Sequence, residues 1–417
     1  MSHQHIYLDN NGTTLIDPRV LDAMLPYFSN QYGNATSRHL FGRAARQALD
    51  LAREQVAEAA GAHPSQVTFT SGGTESNNFA INGMASNNEL ARQIAVSAIE
   101  HPSVTRPAFA LRTKGFRVGV IAADHFGKID PLSLEVALEK PTSLVSVMLA
   151  NNETGVIQDI KMLTEIAKSK GVLFHTDAVQ ALGKLPLSFE KLGVDAMTIS
   201  SHKVNGPQGI GALILNKRVD IQPLLHGGGQ EKGLRSGTEN VAAIVGFGAA
   251  CALLKNELAT RAETTQKLRD SLERELVAMG ANMFGDKSHR LANTSFFAFN
   301  EIEGETLVMA LDRKGFAVAS GSACSSDSTE PSHVLMAMGV APDIARGAIR
   351  VSFGANNTNQ QVNDLVTTLQ SEVQRLRQLT AIAVKELVRT ILSKKALQEQ
   401  YDRTHPDLSR LFSHNAS

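Results

Sequence analysis

Short apolar runs of strand-like composition alternate with helical stretches along this chain, and that alternation restricts the fold more than any other feature. The runs are Val67–Thr70, Ile94–Ile99, Leu144–Ala150, Val172–His175, Ala196–Ser200 and Gly211–Leu215, with helical segments such as Ile160–Lys170 between some of them. This order predicts an α/β sheet, largely parallel. Ahead of it, apolar residues recur at helical spacing from Ser37 to Ala60, and Gly61 stands where a C-cap glycine belongs, so a long amphipathic helix is expected. Past the sheet, Val241–Leu254 reads as a buried helix, shorter than the roughly 20 residues a bilayer span needs. Leu253–Met279 is helical and charged, and strand-like Thr294–Phe299 and Ala317–Ala319 come next, which predicts a smaller α+β domain. A polar, charge-rich tail is expected from about Lys394.

A chain of 417 residues has room for one large or two interlocked domains with a sizeable core. Its 41 Lys+Arg balance 41 Asp+Glu, which removes the electrostatic footprint of a general nucleic-acid binder. The two cysteines, Cys251 and Cys324, form no disulfide framework and no C-x-x-C pair, so neither zinc nor any other metal is expected and a reducing compartment fits best. Met1–Asp9 has no basic n-region and no apolar h-region. The expectation is a soluble, cytoplasmic protein with no membrane partner.

Ligands of open α/β sheets collect outside the carboxyl ends of the strands. Here those ends are polar. Val67–Thr70 leads into Ser71-Gly72-Gly73-Thr74-Glu75-Ser76, Ile94–Ile99 into Glu100-His101, and Leu144–Ala150 into Asn151-Asn152-Glu153-Thr154-Gly155. Val172–His175 leads into Asp177 and Gln180, and Ala196–Ser200 into Ser201-His202-Lys203. Gly72-Gly73-Thr74 at a strand-to-helix junction suits a phosphate, although a tight turn with an N-cap uses the same residues. Neither a P-loop nor a G-x-G-x-x-G opening a βαβ unit accompanies it. Asp177 and Lys203 taken singly read more readily as surface or ion-paired residues. Together with the phosphate cradle they match the needs of pyridoxal 5′-phosphate: an amine for a Schiff base, a carboxylate opposite the pyridinium nitrogen, and a phosphate anchor. His101 is then placed to stack on the ring, and Asn152 and Gln180 to hydrogen-bond the phenolic oxygen, unless each merely caps its loop. Cys251, in Ala249-Ala250-Cys251-Ala252-Leu253, reads as a small buried hydrophobe, whereas Cys324, in Ser320-Gly321-Ser322-Ala323-Cys324-Ser325, lies in a small polar stretch that leaves a thiol accessible.

With these residues in view the chain resembles the cysteine desulfurases, within the class V family of pyridoxal-phosphate enzymes. The resemblance runs through Tyr7–Asn10, Gly33-Asn34, Ser71–Asn77, Glu100–Pro102, Asn151–Gly155, Thr176–Gln180, Ser201–Gly211, Arg235–Thr238 and Gly321–Ser325. It implies a fold-type I homodimer: a large domain over residues 16–254 with a mainly parallel seven-stranded sheet, and a small α+β domain from residues 1–15 and 255–417. It further implies that Lys203 carries the cofactor, Asp177 pairs with the pyridinium and His101 stacks on the ring. Gly73, Thr74, Ser200 and His202 would hold the phosphate, and Thr238 would reach the neighbouring subunit's phosphate. Asn34 and Arg350 match the positions that grip the substrate carboxylate. The stretch around Cys324, continuing into Glu330-Pro331-Ser332-His333, resembles the long-loop subgroup associated with NifS and IscS.

The activity so implied converts L-cysteine to L-alanine, with sulfur taken by Cys324 as a persulfide for an acceptor protein such as an iron–sulfur scaffold. Lys203 would move the Cα proton and His101 the thiol proton. Selenocysteine lyase or another class V lyase, and a sulfur-relay adaptor with little catalysis, are the alternatives. The resemblance breaks at the tail, Leu411–Ser417, which is unlike the family's scaffold-docking terminus and leaves the sulfur acceptor open, and at two places nearer the start of the chain. Asn10-Asn11-Gly12-Thr13-Thr14 stands where the family commonly has Asn-Ala-Ala-Thr-Thr, and Gly33-Asn34-Ala35-Thr36-Ser37 replaces Gly-Asn-Pro-Ser-Ser. Both departures lie near the expected mouth of the site and bear on substrate preference and rate.

Overall fold

The computed structural model describes residues 5–85, 91–321 and 330–404. Its centre is a seven-stranded sheet in the order Val67–Thr70, Gly211–Leu215, Ala196–Ser200, Leu173–Asp177, Leu144–Ser146, Gln93–Ser97 and Arg117–Ile121. Neighbours from Ala196–Ser200 to Arg117–Ile121 run parallel, and Gly211–Leu215 is antiparallel to both of its neighbours. Six strands therefore end on one edge. Five strands are buried at every residue, as a sheet covered by helices on both faces requires. The strand Arg117–Ile121 lies at the sheet's edge and is only partly buried, and its Arg-Val-Gly-Val-Ile composition hides it from an apolar-run reading.

The helix Leu40–Ala60 buries Ala45, Leu49, Ala52 and Val56 along one stripe and stops at Gly61, which takes the left-handed φ of +59°. A second sheet, in the order Ala319–Ser320, Ala348–Ser352, Thr294–Ala298 and Asn282–Met283, is antiparallel. Its apolar cluster includes Leu8, Phe297, Phe299, Ile349 and Val351.

One helix, Val241–Ala278, serves both clusters. Ile244, Phe247, Ala250 and Leu254 pack into the core of the large sheet, while Leu268, Leu272 and Leu276 pack into that of the small one. The apolar and charged halves seen in the sequence thus reflect a change of surroundings, not a break. Among the described residues this is the one helix long and apolar enough to cross a membrane, and half of its most apolar window is buried in the fold. Of the segment expected as a polar tail from Lys394, the part as far as Thr404 continues the helix Asn359–Thr404, and 405–417 lie outside the described residues.

Candidate active site

The carboxyl edge of the large sheet opens on a cavity of about 300 Å³. Gly73, Thr74, His101, Asn152, Asp177, Gln180, Ser200, His202, Lys203 and Arg350, all singled out in the sequence, line it together. Asn34 and Thr238 do not line it in a single chain, and both are exposed. The Asn34 side chain instead accepts from Thr36 N–H at 2.9 Å in a local turn. Cys324 lies outside the described residues.

Each lining residue owes its place to a strand end or helix start. Gly73 opens the helix Gly73–Ala85, whose first-turn N–H groups have no carbonyls within the helix to pair with. A Cβ at Gly73 would lie 2.9 Å from Val179 Cγ2, so glycine permits the close approach. Ser200 ends its strand with a buried hydroxyl that has no hydrogen-bond partner among the described residues, beside that helix start. An orphaned buried hydroxyl next to a helix N-terminus fits an anionic group such as a phosphate.

Asp177, 5% exposed, is held from two sides: Asn77 Nδ2 donates to Oδ2 at 2.6 Å and Val179 N–H to Oδ1 at 2.9 Å. Asn77 is in turn bonded to Ser103 Oγ at 2.8 Å. Asn77 was visible only as the end of the Ser71–Asn77 motif; a buried amide one helical turn past the glycines is the signal that marks it. His101 caps the helix Pro102–Ala110, its Nδ1 accepting from Ser103 N–H at 3.1 Å. Capping and a place in the cavity are thus compatible in one residue. Burial lowers the pKa of His101 below the ordinary histidine value, the nearby Lys203 adding to this and Asp177 opposing it. The neutral ring therefore carries its proton on Nε2. Burial likewise takes His202 down to about 4, with Lys203 and Lys184 contributing.

Lys203 Nζ donates to the backbone carbonyls of Asn11 at 2.6 Å and Gly12 at 2.5 Å. Arg350 donates to Asp9 Oδ1 at 2.6 Å and Asn152 O at 2.8 Å, and its buried Nε has no partner among the described residues. Gln180 Nε2 donates to Asn11 O at 2.9 Å. An amine, a buried carboxylate, an anion cradle and a guanidinium thus converge on one space able to hold pyridoxal phosphate and an amino acid.

Residues 6–365 match the family described as Aminotransferase class-V. A "Cysteine desulfurase IscS" of Methanosarcina thermophila is 43% identical over 383 residues, covering 91% of this chain and 95% of that one. A solved "NIFS-like protein" superposes with a TM-score of 0.84 at 40% identity, covering 89% of this chain and all of the other. A structure titled "SspA in complex with cysteine" gives a TM-score of 0.74 at 32% identity, covering 84% of this chain and 99% of that one. The chain belongs to the class-V aminotransferase family and, within it, to the cysteine desulfurases.

Proposed function

We propose that the protein binds pyridoxal 5′-phosphate through Lys203 and converts L-cysteine to L-alanine, the sulfur passing to Cys324 as a persulfide and then to an acceptor protein such as an iron–sulfur scaffold. The observation that carries this reading is the meeting of Lys203, the buried Asp177 and the unpartnered Ser200 hydroxyl in one cavity. Asp177 would face the ring nitrogen and His101 the ring, with Asn152 and Gln180 at the phenolic oxygen. Gly73, Thr74, Ser200 and His202 would hold the phosphate. Bound there, the cofactor supplies an electron sink that makes the Cα proton of an attached amino acid acidic.

The remaining work falls to the chain's own residues. Arg350 keeps its guanidinium oriented through Asp9 and the Asn152 carbonyl and, with Asn34, grips the substrate carboxylate. Lys203 moves the Cα proton. Neutral His101 exchanges the thiol proton through Nε2. Cys324, as thiolate, attacks the substrate sulfur; the S–S bond forms as the C–S bond breaks, and the electron pair stays on the carbon skeleton that leaves, once protonated, as alanine.

A homodimer is part of this reading, with Thr238 reaching the phosphate held by the partner subunit. Exposed apolar side chains support it: Leu25, Phe28, Tyr32 and Leu40 are 52–68% exposed within one short stretch. Sulfur carried on a reactive thiol also favours a reducing compartment, and we place the protein in the cytoplasm. Incubating the protein with pyridoxal phosphate and L-cysteine tests the reading: alanine should form, and the peptide bearing Cys324 should gain the mass of one sulfur atom. If cysteine yields no alanine, the assignment fails.

A further inference from the structure

The turn from Asp9 to Gly12 stands between the small sheet and the cavity, and its geometry is unusually constrained. Gly12 N–H donates to Asp9 O at 2.9 Å, and Asn11 N–H to Ser352 Oγ at 2.8 Å. The Asn11 side chain, 1% exposed, makes four hydrogen bonds. It donates to Asn152 O at 3.2 Å and Thr294 Oγ1 at 2.9 Å, and accepts from Lys184 Nζ at 2.7 Å and Asn293 Nδ2 at 3.1 Å. These use the full capacity of an amide. Lys184 Nζ also donates to Gln180 Oε1 at 2.5 Å, so one half-buried lysine braces both the turn and a residue of the cavity wall. A Cβ at Gly12 would lie 2.3 Å from Asp9 Oδ2, on the carboxylate that holds Arg350. Only glycine leaves that carboxylate in place.

Toward the cavity the turn presents two backbone carbonyls, both accepting from Lys203 Nζ. Carbonyl pairs of this kind favour an ammonium, because a charged donor roughly doubles the strength of each bond. We infer that the Asn11–Gly12 turn is the seat that receives Lys203 as an ammonium at the moment an incoming amino acid displaces it from the cofactor, before it acts on the Cα proton, and that Asn11 and Lys184 are positioning residues that hold the seat. The inference rests on the cofactor reading above. When an amino acid takes the place of Lys203, one amine replaces another: the incoming ammonium gives up its surplus proton and Lys203 takes it up, with no further reactant. A seat for the departing ammonium favours capture of the amino acid.

The test uses cofactor-loaded wild-type protein, Asn11→Ala and Lys184→Met. Borohydride trapping measures the cofactor carried on Lys203, and titration with L-alanine, monitored by the cofactor's absorption, measures capture. Both variants should retain cofactor at the wild-type midpoint, while the half-saturating alanine concentration rises about five- to tenfold. The sign separates a seat from general support, since a loosened site would weaken cofactor and alanine binding together. Parallel weakening, or an unchanged alanine midpoint, overturns the inference. If Asn11→Ala does not fold, Lys184→Met carries the same comparison. A wild-type protein with no cofactor on Lys203 would refute the functional reading itself, an outcome distinct from variants that titrate like wild type.

Discussion

Glu100, next to His101, is fully buried with no cationic partner within hydrogen-bonding reach among the described residues. Its Oε1 accepts from Ser97 Oγ at 2.5 Å and Met148 N–H at 2.7 Å, and Oε2 has no partner among the described residues. Burial pushes its pKa from 4.5 up to about 8, the two hydrogen bonds opposing and the Asp177 charge adding. The folded state thus keeps a proton that the unfolded chain releases, so this contribution to stability is complete below about pH 4.5 and is lost as pH rises through about 8. Glu100→Gln keeps the acceptor and removes the titration. Its urea midpoint should gain on wild type steadily from pH 5 to pH 8, by on the order of a few kcal/mol in unfolding free energy; a difference constant with pH would show that Glu100 does not hold the proton. Among the reacting groups, Lys203→Ala should lose the cofactor's absorption band, and Cys324→Ser should keep it while making little alanine and no persulfide. Cys251 is 2% exposed, and burial raises its thiol pKa, so Cys251→Ser should leave persulfide yield per folded protein unchanged.

At the scale of elements, the helix Leu40–Ala60 depends on its final glycine. Gly61 has φ +59°, and a Cβ there would lie 2.6 Å from Ser188 Cα. Gly61→Ala meets both backbone strain and a backbone clash, and should cost about 1–3 kcal/mol in chemical denaturation; a neutral result would mean that the cap and the Ser188 segment can shift apart freely. In the helix Asn359–Thr404, Leu376 is the last described side chain in the small sheet's cluster, and Arg377, Gln378, Leu379 and Ile382 are exposed. A chain ending after Gln378 should keep its melting temperature within a few degrees and retain cysteine turnover, whereas a large loss of either would assign the distal helix a structural role. Element types were legible wherever apolar spacing was regular. Boundaries were not, because side chains from elsewhere take over backbone groups: the run Leu144–Ala150 is a strand only to Ser146, and the N–H of Met148 goes to the Glu100 carboxylate.

For the whole molecule, the dimer reading makes a direct demand. Light scattering should give the mass of two chains, and Phe28→Asp combined with Tyr32→Asp should shift it toward one while lowering cofactor retention through loss of Thr238 from the neighbouring site. A wild-type monomer that turns over cysteine would exclude a shared site. By itself the sequence determined the α/β order of the large sheet, the polar residues beyond its strand ends and the family. These features are written in local spacing: strands and helices declare themselves by period, and residues just past a strand in the chain must emerge at that strand's end. The tertiary structure alone decided which residues complete the cavity. Asn77 reaches Asp177 across 100 positions and Lys184 reaches Asn11 across 173, contacts that no window of sequence contains. The carbonyls that receive Lys203 belong to backbone, which carries no residue signature at all, and only the packing of the N-terminal turn between two sheets brings them to the amine.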